Sequence, residues 1–79
     1  MRVIFRFFGA TADVVGQRSL EKSLPDGETS KTVFDRIKDE FPKLSGYKLH
    51  YALNQNYATG KEIVHDGDEL AIFTAVSGG

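Results

Sequence analysis

The sequence predicts an α+β domain, one sheet with a single main helix packed across one of its faces. Three segments carry that expectation. Val3-Ile4-Phe5-Arg6-Phe7-Phe8 is aromatic and β-branched, the composition that suits a pleated, half-buried surface. Val33, Ile37 and Phe41 recur at helical spacing with Phe34 beside them, forming one apolar stripe. Leu70-Ala71-Ile72-Phe73 alternates in the manner of a last strand. Strands lying on both sides of one helix point to α+β rather than to repeated βαβ units.

In the first strand, period-two geometry places Val3, Phe5 and Phe7 on one face and Ile4, Arg6 and Phe8 on the other. The arginine assigns the second face to solvent. Gly9 breaks the strand, and Ala10 to Val15 reads as a short helical turn before Gly16. Arg18 to Leu24 is a weaker strand with Leu20 and Leu24 inward, closed by the turn signal Pro25-Asp26-Gly27. Thr29 or Ser30 caps the main helix. The helix stops near Glu40 or Phe41, because Pro42 disfavours helical backbone in the residue before it.

Lys43 to Lys48 reads as a loop containing Gly46. Leu49, Tyr51 and Leu53 then alternate inward, Asn54-Gln55-Asn56 is a turn or strand end, and Tyr57 and Ala58 begin a return strand. Ile63 and Val64 make a short apolar step, and Asp66-Gly67-Asp68 is a turn. Glu69 to Phe73 is the last strand, with Leu70 and Ile72 inward and Ala71 and Phe73 outward.

The 79 residues make one small domain with a thin core, since a chain of this size buries only about 60% of its unfolded surface. A net charge of −1 gives no electrostatic footprint for nucleic acid. The absence of cysteine excludes disulfides, thiolate metal sites and a cysteine nucleophile, and the cytoplasm is the expected compartment. The apolar run near the start is short and broken by Arg6, so it reads as a strand and not as a signal peptide or membrane span. Glu62, Asp66, Asp68 and Glu69 stand in a final stretch without a basic residue. They are expected either to make the surface around the chain end acidic, matching a basic partner pocket, or to form a solvated acidic turn.

The sequence finishes Val76-Ser77-Gly78-Gly79 directly after the last strand. Glycine has the most backbone freedom to lose on ordering, so a diglycine is a poor end for a structural element. Two glycines without side chains do suit insertion into a narrow cleft, where a terminal carboxylate would be presented. Phe8 and Phe73 sit at the C-terminal ends of the first and last strands on the outward face. They are expected either to form a partner-docking patch beside the tail or to pack beneath the Pro42–Tyr47 loop or the Ala10–Val15 turn.

His50 and His65 are isolated and read as surface or core-edge residues rather than metal ligands, and no metal site is expected. Asp66 and Asp68 read as turn residues, Gly9 and Gly16 do not make the dinucleotide pattern, and no serine has a nucleophile context. The side chains offer no catalytic constellation.

Taken together, the element order, the Phe7-Phe8-Gly9 strand end, Ala52-Leu53-Asn54-Gln55 and Asp66 to Gly79 resemble the MoaD family. These are the small subunits of molybdopterin synthase, in the ubiquitin-like β-grasp superfamily. The similarity spans essentially the whole chain. Two departures stand out, Ala12-Asp13 where the family often has Arg-Glu, and Thr74-Ala75 where it usually has two prolines. The second implies a less stiff tail, because proline fixes its backbone angle.

The resemblance implies a β-grasp fold with a mixed sheet of four to five strands and a flexible tail over residues 74–79. It implies a sulfur carrier with no bound cofactor, whose Gly79 carboxylate is adenylated with ATP by a ubiquitin-activating-type adenylyltransferase. A sulfur donor then makes the thiocarboxylate. The tail, with Val76 and Ser77 setting reach and Gly78 giving clearance, enters the large synthase subunit, which brings the catalytic side chains and builds the dithiolene on the pterin precursor. Alternatives are a carrier for thiamine synthesis or transfer-RNA thiolation, a protein modifier conjugated through Gly79, and a plain interaction domain.

Overall fold

The computed structural model describes residues 1–74. Strand β1 (Arg2–Phe7) is followed by a six-residue helix α1 (Ala10–Val15) and by β2 (Ser19–Ser23). Helix α2 (Ser30–Glu40) leads through a 3-10 turn (Pro42–Gly46) to β3 (Leu49–Leu53), β4 (Asn56–Tyr57) and β5 (Glu69–Thr74). The five strands form one mixed sheet in the order β2-β1-β5-β3-β4. The last strand therefore lies at the centre, parallel to β1 and antiparallel to β3.

Alternation fixes the core. Val3, Phe5 and Phe7 of β1 and Leu70 and Ile72 of β5 are buried on the inner face, with Leu20, Leu49, Tyr51 and Leu53 packed against them from the other strands. Helix α2 closes this face with Val33, Phe34 and Ile37, and the Phe34 ring stacks on Tyr51 at 4.2 Å between centroids. The Thr29 hydroxyl accepts the Thr32 amide and caps the helix. Ser30, the other residue suited to a cap, is instead buried and donates to Glu62.

The Lys43–Lys48 stretch differs from the expected loop. Pro42 opens a 3-10 turn there, and Leu44 is fully buried with its amide bonded to the Phe41 carbonyl at 2.9 Å. Leu44, the one aliphatic side chain in this segment, draws the backbone inward, and the turn satisfies its amide. Asn54 and Gln55 both adopt positive φ (48° and 71°), so β3 and β4 join through a two-residue hairpin whose twist matches that of the strands. Ile63 and Val64 split as well, with Val64 buried and Ile63 exposed in an isolated bridge to Thr29.

Acidic residues 62–69 are not at the end of β5 where the chain continues toward Gly79. Asp66 and Asp68 precede the strand, which then runs from Glu69 to Thr74, a span of about 17 Å at the usual strand rise. Their oxygens serve internal bonds, Asp66 Oδ1 accepting the Arg2 amide at 2.6 Å and Asp68 accepting the His65 amide and the Asn54 side chain. The acidic turn is a piece of architecture, so steering by it at the tail is not what the fold provides.

Candidate functional site

Cross-strand register assembles the outer sheet face. Ser19, Arg6, Ala71, Ala52 and Tyr57 lie in one row across all five strands. The neighbouring row toward the end of β5 holds Phe73 opposite His50. Arg6 donates through Nε to Glu69 Oε2 at 2.7 Å, which ties β1 to β5 across this face. Glu69 in turn faces Ile4.

Phe73 is half-buried, and its ring packs on His50 and Tyr57, with both centroids 5.9 Å away. Tyr57 is 78% exposed and Phe8 52% exposed. Adjacent parallel strands place these two phenylalanines at the same end of the sheet, and the Phe8 amide bonds the Ile72 carbonyl at 3.1 Å. Their surroundings differ. Phe73 sits among aromatic neighbours from β3 and β4, whereas Phe8 borders a cleft with Arg6, Gly9, Ala12, Asp13 and Arg18.

The aromatic group of His50, Tyr57 and Phe73 was not assembled from the sequence. Alternation puts His50 outward, but Tyr57 joins it only because the Asn54-Gln55 turn sets Ala52 opposite Tyr57. Reading that turn as two residues would have supplied the register.

Helix α1 braces this end of the sheet. Gly9 precedes it at φ 58°, ψ −130°, backbone that a side chain would strain, and lets the chain turn from β1 into the helix. Thr11, completely buried, bonds the Phe8 amide and carbonyl and reaches the Ile72 carbonyl of β5. The C-terminal half of β5 is thereby held by a side-chain hydrogen bond as well as by the sheet.

At the opposite end, half-buried Glu62 organises the loop before β5. Its carboxylate accepts from the Thr59 amide at 2.8 Å, the Ser30 hydroxyl at 2.7 Å and the Gly60 amide at 3.1 Å. Backbone hydrogen bonding led by Thr59, then the Ser30 hydroxyl, lowers its pKa to about 2. This is a structural carboxylate committed to acceptor duty.

Among the described residues, no group of three or more histidine, cysteine or acidic side chains is placed to hold a metal. Nor is any helix there long and apolar enough to cross a membrane. His65 is exposed with Nδ1 3.9 Å from Asp68, and His50 lies on Phe73. Val76, Ser77, Gly78 and Gly79 lie outside the described residues.

A single mixed sheet with the last strand at its centre and one helix across its inner face defines a ubiquitin-like β-grasp domain. The chain belongs to the ThiS family, whose model matches residues 5–79. It is 34% identical over 74 residues to a molybdopterin synthase sulfur carrier subunit of Arabidopsis thaliana, covering 91% of this chain and 77% of that protein. It is 30% identical to small archaeal modifier protein 3 of Haloferax volcanii, with both chains covered fully. The crystal structure of SAMP1 from Haloferax volcanii superposes with a TM-score of 0.86 at 26% identity, again over 100% of each chain.

Proposed function

We propose that this chain is a sulfur carrier that works through Gly79, in the synthesis of the molybdenum cofactor. The observation that carries the reading is the ThiS-family match running to residue 79, so that the diglycine falls inside the matched segment. A relative named as a molybdopterin synthase sulfur carrier subunit supports the pathway.

The chemistry follows from the carboxylate. With a pKa of about 3.5 a terminal carboxylate is ionised at neutral pH and resists nucleophiles. Adenylation by a ubiquitin-activating-type enzyme joins the carboxylate oxygen to the α-phosphate of ATP and releases pyrophosphate. Hydrosulfide released by the donor then attacks the carbonyl carbon, AMP leaves with the former carboxylate oxygen, a proton is lost, and the thiocarboxylate remains. The large subunit of molybdopterin synthase takes up the tail and directs that sulfur to the pterin precursor. After Thr74 five residues continue to Gly79, and fully extended they reach at most about 18 Å. The outer face near the end of β5, with Phe8 and Phe73, is then the surface a partner must rest on.

Intact-mass measurement on protein purified from its own cells tests this. The expected result is an oxygen-to-sulfur increase localised to Gly79, lost on deleting Gly79 while the melting temperature is kept. An unmodified C-terminus in cells actively making the cofactor would overturn it. A second reading is favoured by the similarity to small archaeal modifier protein 3, in which Gly79 forms an isopeptide bond to lysines. Gly-Gly remnants on the lysines of other proteins would select that reading. Thiamine synthesis or transfer-RNA thiolation would instead appear as a growth requirement of a deletion strain.

A further inference from the structure

The cleft of about 590 Å³ at the C-terminal end of β1 is not accounted for by tail chemistry. It is lined by Arg6, Phe7, Phe8, Gly9, Ala12, Asp13 and Arg18. Its electrostatics are asymmetric. Arg6 is committed to an ion pair with Glu69, whose charge offsets its own. Arg18 and Asp13 are both exposed, and neither makes an ion pair among the described residues. The backbone at Arg18 is nevertheless fixed, because its carbonyl accepts the Phe7 amide at 2.9 Å. A cation on anchored backbone next to a half-exposed phenyl ring suits a carboxylate carried beside an apolar side chain.

Position makes this cleft relevant to docking. Phe8 bonds the Ile72 carbonyl, so the cleft opens at the end of the sheet where β5 finishes at Thr74. A protein that takes up the residues after Thr74 must lie against that end.

We propose that the cleft receives an acidic side chain of the partner protein that takes up the tail, with Arg18 as the ion-pairing group and Phe8 as the apolar wall. The proposal rests on the carrier reading above and adds the chemistry of the docking contact. A carboxylate fits better than a phosphate group. Asp13 lines the same cleft and repels a dianion, whereas one carboxylate can sit on the Arg18 fork and leave Asp13 to a basic neighbour on the partner. Of the two arginines lining the cleft, Arg6 is paired with Glu69, and the other guanidinium is that of Arg18, in the segment that leads into β2.

Calorimetric titration of the cognate large subunit of molybdopterin synthase into the wild type, Arg18→Ala, Arg18→Glu and Arg18→Lys tests the contact. Charge reversal should weaken binding by about tenfold or more, alanine by less, and lysine should restore most of the affinity. The gap between wild type and Arg18→Ala should narrow as salt is raised, with melting temperatures unchanged because Arg18 is exposed. Equal affinity of Arg18→Glu and wild type at low salt, with Tyr57→Ala still impaired, would overturn the cleft assignment and leave the carrier reading standing. No binding by the wild type would remove both. Should AMP alone shift the amide resonances of Phe8, Asp13 and Arg18 while Arg18→Glu binds the partner normally, the cleft is a nucleotide site and the proposal falls.

Discussion

The hydroxyl of Thr11 lies 2.9 Å from the carbonyl oxygen of Ile72, in the central strand β5 that pairs with both β1 and β3. The same hydroxyl sits 2.7 Å from the Phe8 carbonyl and 3.0 Å from the Phe8 amide. One side chain thus fastens helix α1 to the ends of both central strands. Its single proton alternates between two carbonyls while its lone pairs accept the amide. Thr11→Val keeps the shape and removes every one of these bonds. The expected loss is about 1–3 kcal/mol, since buried carbonyls lose a donor without gaining solvent. Thermal denaturation should show a clear fall, and Thr11→Ser should recover part of it. Equal melting temperatures for wild type and Thr11→Val would show that the hydroxyl is dispensable.

Tyr57 offers a cleaner probe of the outer face than Phe73. Phe73 is half-buried between His50 and Tyr57, so replacing it disturbs packing as well as docking. At 78% exposure Tyr57 contributes little to the core. Tyr57→Ala should alter stability by no more than about 0.5 kcal/mol. If the face docks the large subunit, the same change should cost about 1–2 kcal/mol of binding, the scale for truncating an interface aromatic. Phe73→Glu should cost more in both measurements. Undiminished binding by both variants would take the docking role away from this face.

Gly60 is constrained from two directions. Its φ is +99°, and a Cβ there would come 3.2 Å from the Tyr51 hydroxyl and 3.3 Å from Lys31 Cβ. Its carbonyl also accepts the Lys31 amide at 3.2 Å in the first turn of α2. Gly60→Ala should therefore destabilise by about 1–3 kcal/mol through backbone strain. Gly27 has positive φ as well but open space around it, so the same change there tests strain without crowding. Urea denaturation of the pair separates the two effects. A Gly60→Ala loss no larger than that of Gly27→Ala would mean that the neighbours yield.

The sequence showed what short-range patterns can show. Alternation placed Val3, Phe5, Phe7, Leu70 and Ile72 inward, and the four-residue spacing placed Val33 and Ile37 on the helix face that is buried. The cap was legible only as Thr29 or Ser30, both suited by residue type, and folding selects Thr29, whose hydroxyl meets the amide three residues on. Contacts across the sheet were less legible. The aromatic group around Phe73 depends on a register set by positive φ at Asn54 and Gln55, which neither residue type demands. Leu44 was missed because one aliphatic side chain in a short loop has no period. The acidic stretch misled for a related reason. Charge counted along the chain says nothing about which end of a strand carries it, and the internal bonds of Asp66 and Asp68 appear only after folding.

Glu62 makes the stability of the fold depend on acid pH with a definite sign. Its pKa is lowered to about 2 from an ordinary 4.5 by the Thr59 amide and the Ser30 hydroxyl foremost. Unfolding frees the carboxylate to take up a proton at the ordinary value. Between these two pKa values the unfolded state binds more protons, so lowering the pH favours unfolding. The stabilisation is fully present above pH 4.5 and disappears as the pH falls toward 2. Glu62→Gln cannot change charge and presents only one acceptor oxygen to donors that now use two. The variant should be less stable than the wild type at neutral pH, with the gap closing across that window. Urea denaturation midpoints recorded at intervals through the acid range measure the difference. A constant gap, or one that widens in acid, would show that the hydrogen bonds to Glu62 do not favour its ionised form.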